Sequence, residues 1–170
     1  MGLNLQSLLN IYRTFLSYSG KAGVENAKIS LLIEGGSSVT FPVVPAQLPT
    51  IENTQNNEVF SSVIGDVSII GLLGLRKITF DNFMLPGTTS KYSFAHGDDA
   101  ATILNFIQEN HQSGQPFRLI MTKGGSTILN MSCLIDTYSY YQDTVGDTYL
   151  SVTFTEYRTY NETTGGLSSW

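Results

Sequence analysis

Ile29-Ser-Leu-Leu-Ile33, Phe41-Pro-Val-Val-Pro45-Ala-Gln-Leu-Pro49, Ile64-Gly-Asp-Val-Ser-Ile-Ile-Gly71 and Leu75-Arg-Lys-Ile-Thr-Phe80 follow one another as strand-like segments joined through Pro and Gly. From residue 27 the hydrophobic period is two. Ile29, Leu31 and Ile33 share a face, Gly35-Gly36 supplies a turn that tolerates positive φ, and Ser37 to Phe41 returns, which predicts a β-hairpin. A second hairpin repeats the design: Phe117, Leu119 and Met121 alternate, Lys123-Gly-Gly-Ser126 turns, and Leu129, Met131, Cys133 and Ile135 line the return strand.

Pro42, Pro45 and Pro49 each remove a ladder donor, so Phe41 to Thr50 is expected to be extended, weakly paired and at a sheet edge, a candidate contact ribbon. Asn53 to Asn57 reads as an exposed turn before strands around Val59–Val63 and Val67–Ile70, with Gly71-Leu-Leu-Gly74 as a strand-to-strand turn. Arg76 to Phe83 alternates with Ile78 and Phe80 inward. Leu150, Val152 and Phe154 alternate in a last strand whose other face carries Tyr149, Ser151, Thr153, Thr155 and Tyr157. One internal helix is predicted from Asp98 to Gln112, with Ala100, Ile103, Leu104, Ile107 and His111 as its apolar stripe and Gly114 with Pro116 as its stop.

Ahead of this β-rich body, Leu5, Leu8, Leu9, Tyr12, Phe15 and Leu16 recur at helical spacing and predict an amphipathic helix closed by Ser19-Gly-Lys-Ala-Gly23. Its stripe reads equally as packed on its own sheet or docked on a neighbour. The expected organisation is therefore a helix and linker over 1–23, a β domain over 24–160 and a loose Gly- and Thr-rich tail over 161–170.

Composition narrows the function classes. Charged residues make up 14% of the 170-residue chain, against about 25% in an ordinary soluble domain. Because charge is depleted from interface cores, a charge-poor surface with many Tyr and Phe fits a subunit held against neighbours. The net charge of −5 with scattered Lys and Arg offers no basic stripe for a phosphate backbone, so direct nucleic-acid recognition is not expected. Leu3 to Leu16 is too short and too polar to span a bilayer, so no membrane insertion is expected either. The single Cys133 lies in an apolar run and reads as a buried structural thiol.

No stretch carries a recognisable catalytic pattern. His96-Gly-Asp98-Asp99 reads as a turn plus acids complementing a helix dipole rather than a metal cluster, and Asp143 and Asp147 around Gly146 read as turn chemistry. His96 and His111 are not near a nucleophile-elbow pattern, and Gly71 to Gly74 lacks the Lys-Ser/Thr of a phosphate loop. No enzyme activity, cofactor or metal is expected. Tyr138, Tyr140 and Tyr141 suit cross-strand packing or an interface better than stacking on sugar.

The apolar opening strand, the Phe41-Pro-Val-Val-Pro45 step, Gly65-Asp66 leading into Ile69-Ile70-Gly71, Leu75-Arg76-Lys77, the Asp81-Asn-Phe83 to Leu85-Pro-Gly87 corner, Ser113-Gly-Gln-Pro116 and the Thr155-Glu-Tyr-Arg158 close occur in an order that resembles the N-terminal domain of the LysM-bearing baseplate proteins of PBSX-like contractile phage tails. The resemblance covers residues 27 to 160 or so. It implies a mainly β (α+β), tail-tube-like fold, a two-sheet β-sandwich or half-barrel with one flanking α-helix, to which the N-terminal amphipathic helix is added. It also implies a structural subunit of a virion baseplate, assembled in the bacterial host cytoplasm as a homo-oligomeric ring of six, and contacting tail tube, hub or spike and wedge proteins. Family members carry a LysM domain after this one; these 170 residues contain no such module, so neither peptidoglycan binding nor LysM-mediated wedge contact is implied. The expected interface residues are Leu5, Leu8, Leu9, Tyr12 and Phe15 of the helix, Phe41, Pro42, Val44 and Pro45 of the ribbon, and Tyr138, Tyr140 and Tyr141. The alternative reading is a carbohydrate-binding β-sandwich module resting on the tyrosines.

Overall fold

A computed structural model describes residues 27–45, 47–161 and 166–168. Strands β1 (Ala27–Leu32), β2 (Ser38–Thr40), β3 (Ile51–Glu52), β6 (Lys77–Leu85), β7 (Phe117–Lys123), β8 (Ser126–Gln142) and β9 (Thr148–Glu156) form one seven-stranded sheet in the order β2-β1-β7-β8-β9-β6-β3. Every neighbouring pair is antiparallel. Two further two-stranded ribbons are built from β4 (Glu58–Ser62) with β5 (Gly65–Ile69), and from β10 (Thr159–Asn161) with β11 (Gly166–Ser168). The architecture is thus a mixed α and β fold of antiparallel sheets with one helix, α1 (Ala100–Ser113).

Both predicted hairpins form, and their alternation decides which face is buried. Ile29, Leu31, Leu119, Met121, Met131, Cys133, Val152 and Phe154 all point into one core, while Lys28, Ser30, Arg118, Asn130, Ser151 and Thr153 occupy the opposite face. Cys133 is fully buried, and burial pushes its thiol up to about 12.

The sheet is rolled rather than flat. Phe41, one residue past β2, stacks on Phe80 with ring centroids 6.0 Å apart and meets Phe83 edge-on at 5.3 Å. In the sheet order β2 and β6 are five steps apart, which would separate them by about 24 Å on a flat surface at ~4.8 Å per strand. Register shifts at Phe80/Phe83, Met121/Thr122 and Ile135/Thr137 mark β-bulges that bend strands and increase twist. At the first, Asn82 takes φ +50, held by its amide donating to Ser151 Oγ (2.9 Å) and its side chain accepting from Tyr141 Oη (2.9 Å).

Helix α1 covers the concave side. Asp99 caps it by accepting from the Thr102 amide (3.0 Å) and hydroxyl (2.7 Å), and Gly114 closes it in the left-handed conformation (φ +62). The buried stripe is Ala100, Ile103, Phe106, Ile107 and Asn110, rotated from the predicted one. Phe106 replaces Leu104 at the centre because its ring meets Phe117 edge-on at 5.6 Å, and His111 is exposed at the margin against Tyr138.

The predicted open edge is closed from within. His96 N donates to Pro42 O (2.8 Å), Asp98 N to Thr40 O (2.9 Å), and Thr40 N donates to Asp98 Oδ2 (2.7 Å). The segment before the helix therefore takes the place of a neighbouring strand. It is itself pinned by buried Asp147, which accepts from Gly87 N, Lys91 Nζ and Tyr92 Oη. The expectation that Phe41 and Pro42 face a neighbour is corrected accordingly: both are buried, Phe41 because rolling brings the far strand β6 over it. Val44 and Pro45 are half-buried.

Phe41→Ala is expected to lower the unfolding free energy by about 3–5 kcal/mol, as for other buried aromatic truncations. Urea unfolding of the purified protein checks this; a shift within that of an ordinary surface substitution would show that the rolled sheet does not depend on the ring.

Candidate functional site

Between β3 and β6 the chain leaves the body as a long β-hairpin arm, residues 53 to 75. Its outer part is the β4–β5 ladder, Glu58↔Ile69 to Ser62↔Gly65. Its inner part continues through a Gln55↔Leu73 bridge, Asn56 N donating to Leu72 O (3.0 Å) and Gly74 N to Thr54 O (2.8 Å). Gly71-Leu-Leu-Gly74 is therefore an extended stretch of this ladder, not a turn between strands. Glycine is required there by close approach: a Cβ on Gly71 would lie 1.5 Å from Asn56 O.

The arm reverses the body's distribution of polarity. Val59, Phe60, Val67, Ile69, Ile70, Leu72, Leu73 and Leu75 are all exposed, and the two-residue tip Val63-Ile64 is wholly so, at 108% and 95%. Short hairpin tips favour Asn-Gly because its residues accept positive φ. Here two β-branched residues hold negative φ, Gly65 takes the positive angle (+124), and Ser62 Oγ bonds Gly65 O at 2.8 Å. The polar work of the turn is done by the flanking residues, which leaves the tip itself purely apolar. Phe60 and Val67 pair directly on one face, and the other face holds Val59 with Ser61, Asp66 and Ser68.

The arm's root is anchored by a buried acid. Glu156 accepts from Arg76 Nη2 (2.6 Å), from Arg76 N (3.1 Å) and from Arg158 Nη2 (2.5 Å), while its own amide donates to Arg76 O (2.8 Å). Burial disfavours the charged carboxylate, yet the two guanidinium groups outweigh it and hold its pKa down at about 2. The residue that ends the arm is thus locked to the end of β9.

The structure separates the residues expected to form an interface. Leu5, Leu8, Leu9, Tyr12 and Phe15 lie outside the described residues, as does the boundary at residue 23. The tyrosines divide between two faces because of the bulge at Asp136. Tyr138 and Tyr140 pair with Val152 and Leu150 on the core side, Tyr138 half-buried against His111 and Tyr140 exposed beyond the core's end. Tyr141 lies on the outer face, stacked on Tyr149 at 5.1 Å and 12°. The arm was not singled out by sequence, although apolar residues at both positions of a two-residue turn are a signal that could have found it.

The acids examined for chemistry are engaged with the protein itself. Asp98 and Asp99 bind backbone amides, and Asp143 Oδ1 accepts from Val145 N and Asp147 N within its turn. Among the described residues no three His, Cys, Asp or Glu side chains converge as a metal site, and no helix is long and apolar enough to cross a membrane.

Because Glu156 titrates below its unfolded value, its stabilisation is complete above about pH 4.5 and is lost as pH falls through about 2. Glu156→Gln is expected to lower stability at neutral pH by about 1–3 kcal/mol and to flatten the acid limb. Asp99 and Asp147, also held below the ordinary carboxylate range, supply the slope that remains. Unfolding free energies measured across that range would expose an error if the variant keeps the wild-type slope.

No family model matches the chain. It is similar to an uncharacterized protein of Bacillus subtilis (strain 168), YqbP, with 23% identity over 128 residues, 74% of this chain and 57% of that protein. The chain thus spans little more than half the length of that relative.

Proposed function

We propose that the protein is a structural subunit of a phage or phage-like contractile tail, a baseplate component that joins hub and tail tube to the surrounding parts. The observation that carries this is the apolar arm. A water-exposed hairpin with ten large apolar side chains is costly in a free monomer and is useful to a chain that is buried by assembly. The charge-poor composition supports the same reading, as does the rolled antiparallel sheet with its flanking helix, which suits a tail-tube-like half-barrel. A ring of six, contacts with tube, hub and wedge proteins, and a place in the virion belong to this proposal and come from the sequence resemblance. Its non-enzymatic character belongs to the proposal as well and rests on the lack of a recognisable catalytic pattern in the sequence.

The carbohydrate-binding alternative is less well supported. A stacking platform for sugar needs its aromatic rings side by side, whereas Tyr138 and Tyr140 lie on one face of the strand and Tyr141 on the other, stacked on Tyr149.

Val63→Asp with Ile64→Asp is expected to leave the isolated protein's stability within about 0.5 kcal/mol of wild type, since neither side chain is buried, and to abolish incorporation into tail particles. Complementation of a particle-producing strain lacking the wild-type copy, followed by a subunit census of purified particles, provides the test. Normal incorporation of the variant would sink the assembly role of the arm.

A further inference from the structure

We infer that the arm's partner is a second copy of this chain, and that it docks on the outer face of β1, β7 and β8. This rests on the reading of the arm as an assembly element and adds the identity and location of its acceptor. The arm's ten exposed apolar side chains offer about 1,000 Å² of apolar surface, above the ~300–600 Å² of a typical monomer's largest patch and close to the ~800 Å² that one partner contributes to a standard interface.

Charge selects the acceptor. From residue 53 to 75 the charged side chains are Glu58 and Asp66, with no cation. On the outer face of the body, Leu32, Ile120 and Leu134 are half-buried on three adjacent strands, flanked by Lys28 and Arg118. Among the described residues neither Lys28 nor Arg118 forms an ion pair; Arg118 donates to Asn130 Oδ1 (3.0 Å), and the nearby acid Glu34 lies beyond the end of β1. The remaining outer face, on β8 past its bulge, β9 and β6, presents the hydroxyls of Thr79, Thr137, Ser139, Ser151 and Thr153 instead, with Thr79 and Thr153 bonded to each other. An apolar, acidic arm therefore matches the β1–β7–β8 corner and not the hydroxyl-lined one.

The arm's exposure makes the contact intermolecular. Its ten large apolar side chains are all exposed on the chain that carries them, so that chain's own outer face does not cover them. The paired stretch from Thr54 to Ser62 extends about 30 Å at ~3.3 Å per residue, enough to cross a neighbouring body. Donor arm and acceptor face are different surfaces of the chain, which defines a head-to-tail contact that closes into a ring when its rotation permits.

The test is self-association of the full chain, followed by light scattering across a range of concentrations. Wild type is expected to form oligomers that weaken as salt is raised. Lys28→Glu with Arg118→Glu is expected to weaken association about tenfold or more, as like charges then oppose each other. Adding Glu58→Lys and Asp66→Lys to that chain should restore it. Salt-independent association, an unaffected face variant, or a failed restoration with melting temperature intact would each overturn the assignment. A wild-type chain that stays monomeric yet enters particles would also overturn it, while leaving the assembly role of the arm in place.

Discussion

The contact of Phe41 with Phe80 and Phe83 holds the two ends of the sheet together, and most of the body depends on it. A twisted antiparallel sheet of seven strands has two edges and two faces to satisfy. Rolling brings one edge over the other and turns one face into a core that α1 can cover. The bulges at Asn82 and Asp136 supply the bend, and the aromatic clasp fixes it. Once Phe41 is placed, Thr40 and Pro42 lie where His96 and Asp98 can bond them, so the same residue also decides how the exposed edge is closed.

Body and arm illustrate opposite uses of one pattern. In β7 and β9 alternating apolar residues are buried in one core, Phe117 of β7 against Phe106 of the helix and Phe154 of β9 against Phe80 and Phe117. In β4 and β5 the same residue types have only each other, and the ladder holds their backbone without covering their side chains. A ribbon of two strands is marginal on its own. The ion-paired root at Arg76, Glu156 and Arg158 compensates by fixing where the return strand joins the body, which limits the directions in which the apolar surface can point.

What the sequence reveals follows the range of the interactions involved. Alternation at Phe117, Leu119 and Met121, the Gly-Gly turns, and the left-handed stop at Gly114 are local, and each predicts its element well. The side of the helix that is buried was less legible, since Phe106 and Leu104 are both apolar and only Phe117 decides between them. At the Pro-rich ribbon Phe41 and Pro42 are buried where the sequence predicts exposure, because the partners of Thr40 and Pro42, Asp98 and His96, lie more than fifty residues away with no local sign of the meeting. The arm was missed for the converse reason. Its strands read like core strands, and nothing within them reports that the rest of the sheet passes elsewhere. The tyrosines looked like one group because an inserted residue at Asp136 exchanges the faces of a strand without altering its composition.

Cys133 has a practical consequence of its own. It is the chain's single cysteine, it is fully buried, and its thiolate is scarce at neutral pH because burial holds the proton on. Maleimides and related reagents need an accessible thiolate. The folded protein is therefore silent toward them as it stands, and one cysteine placed anywhere on its surface becomes an unambiguous attachment point for a fluorophore or spin label, with the native sulfur left in place.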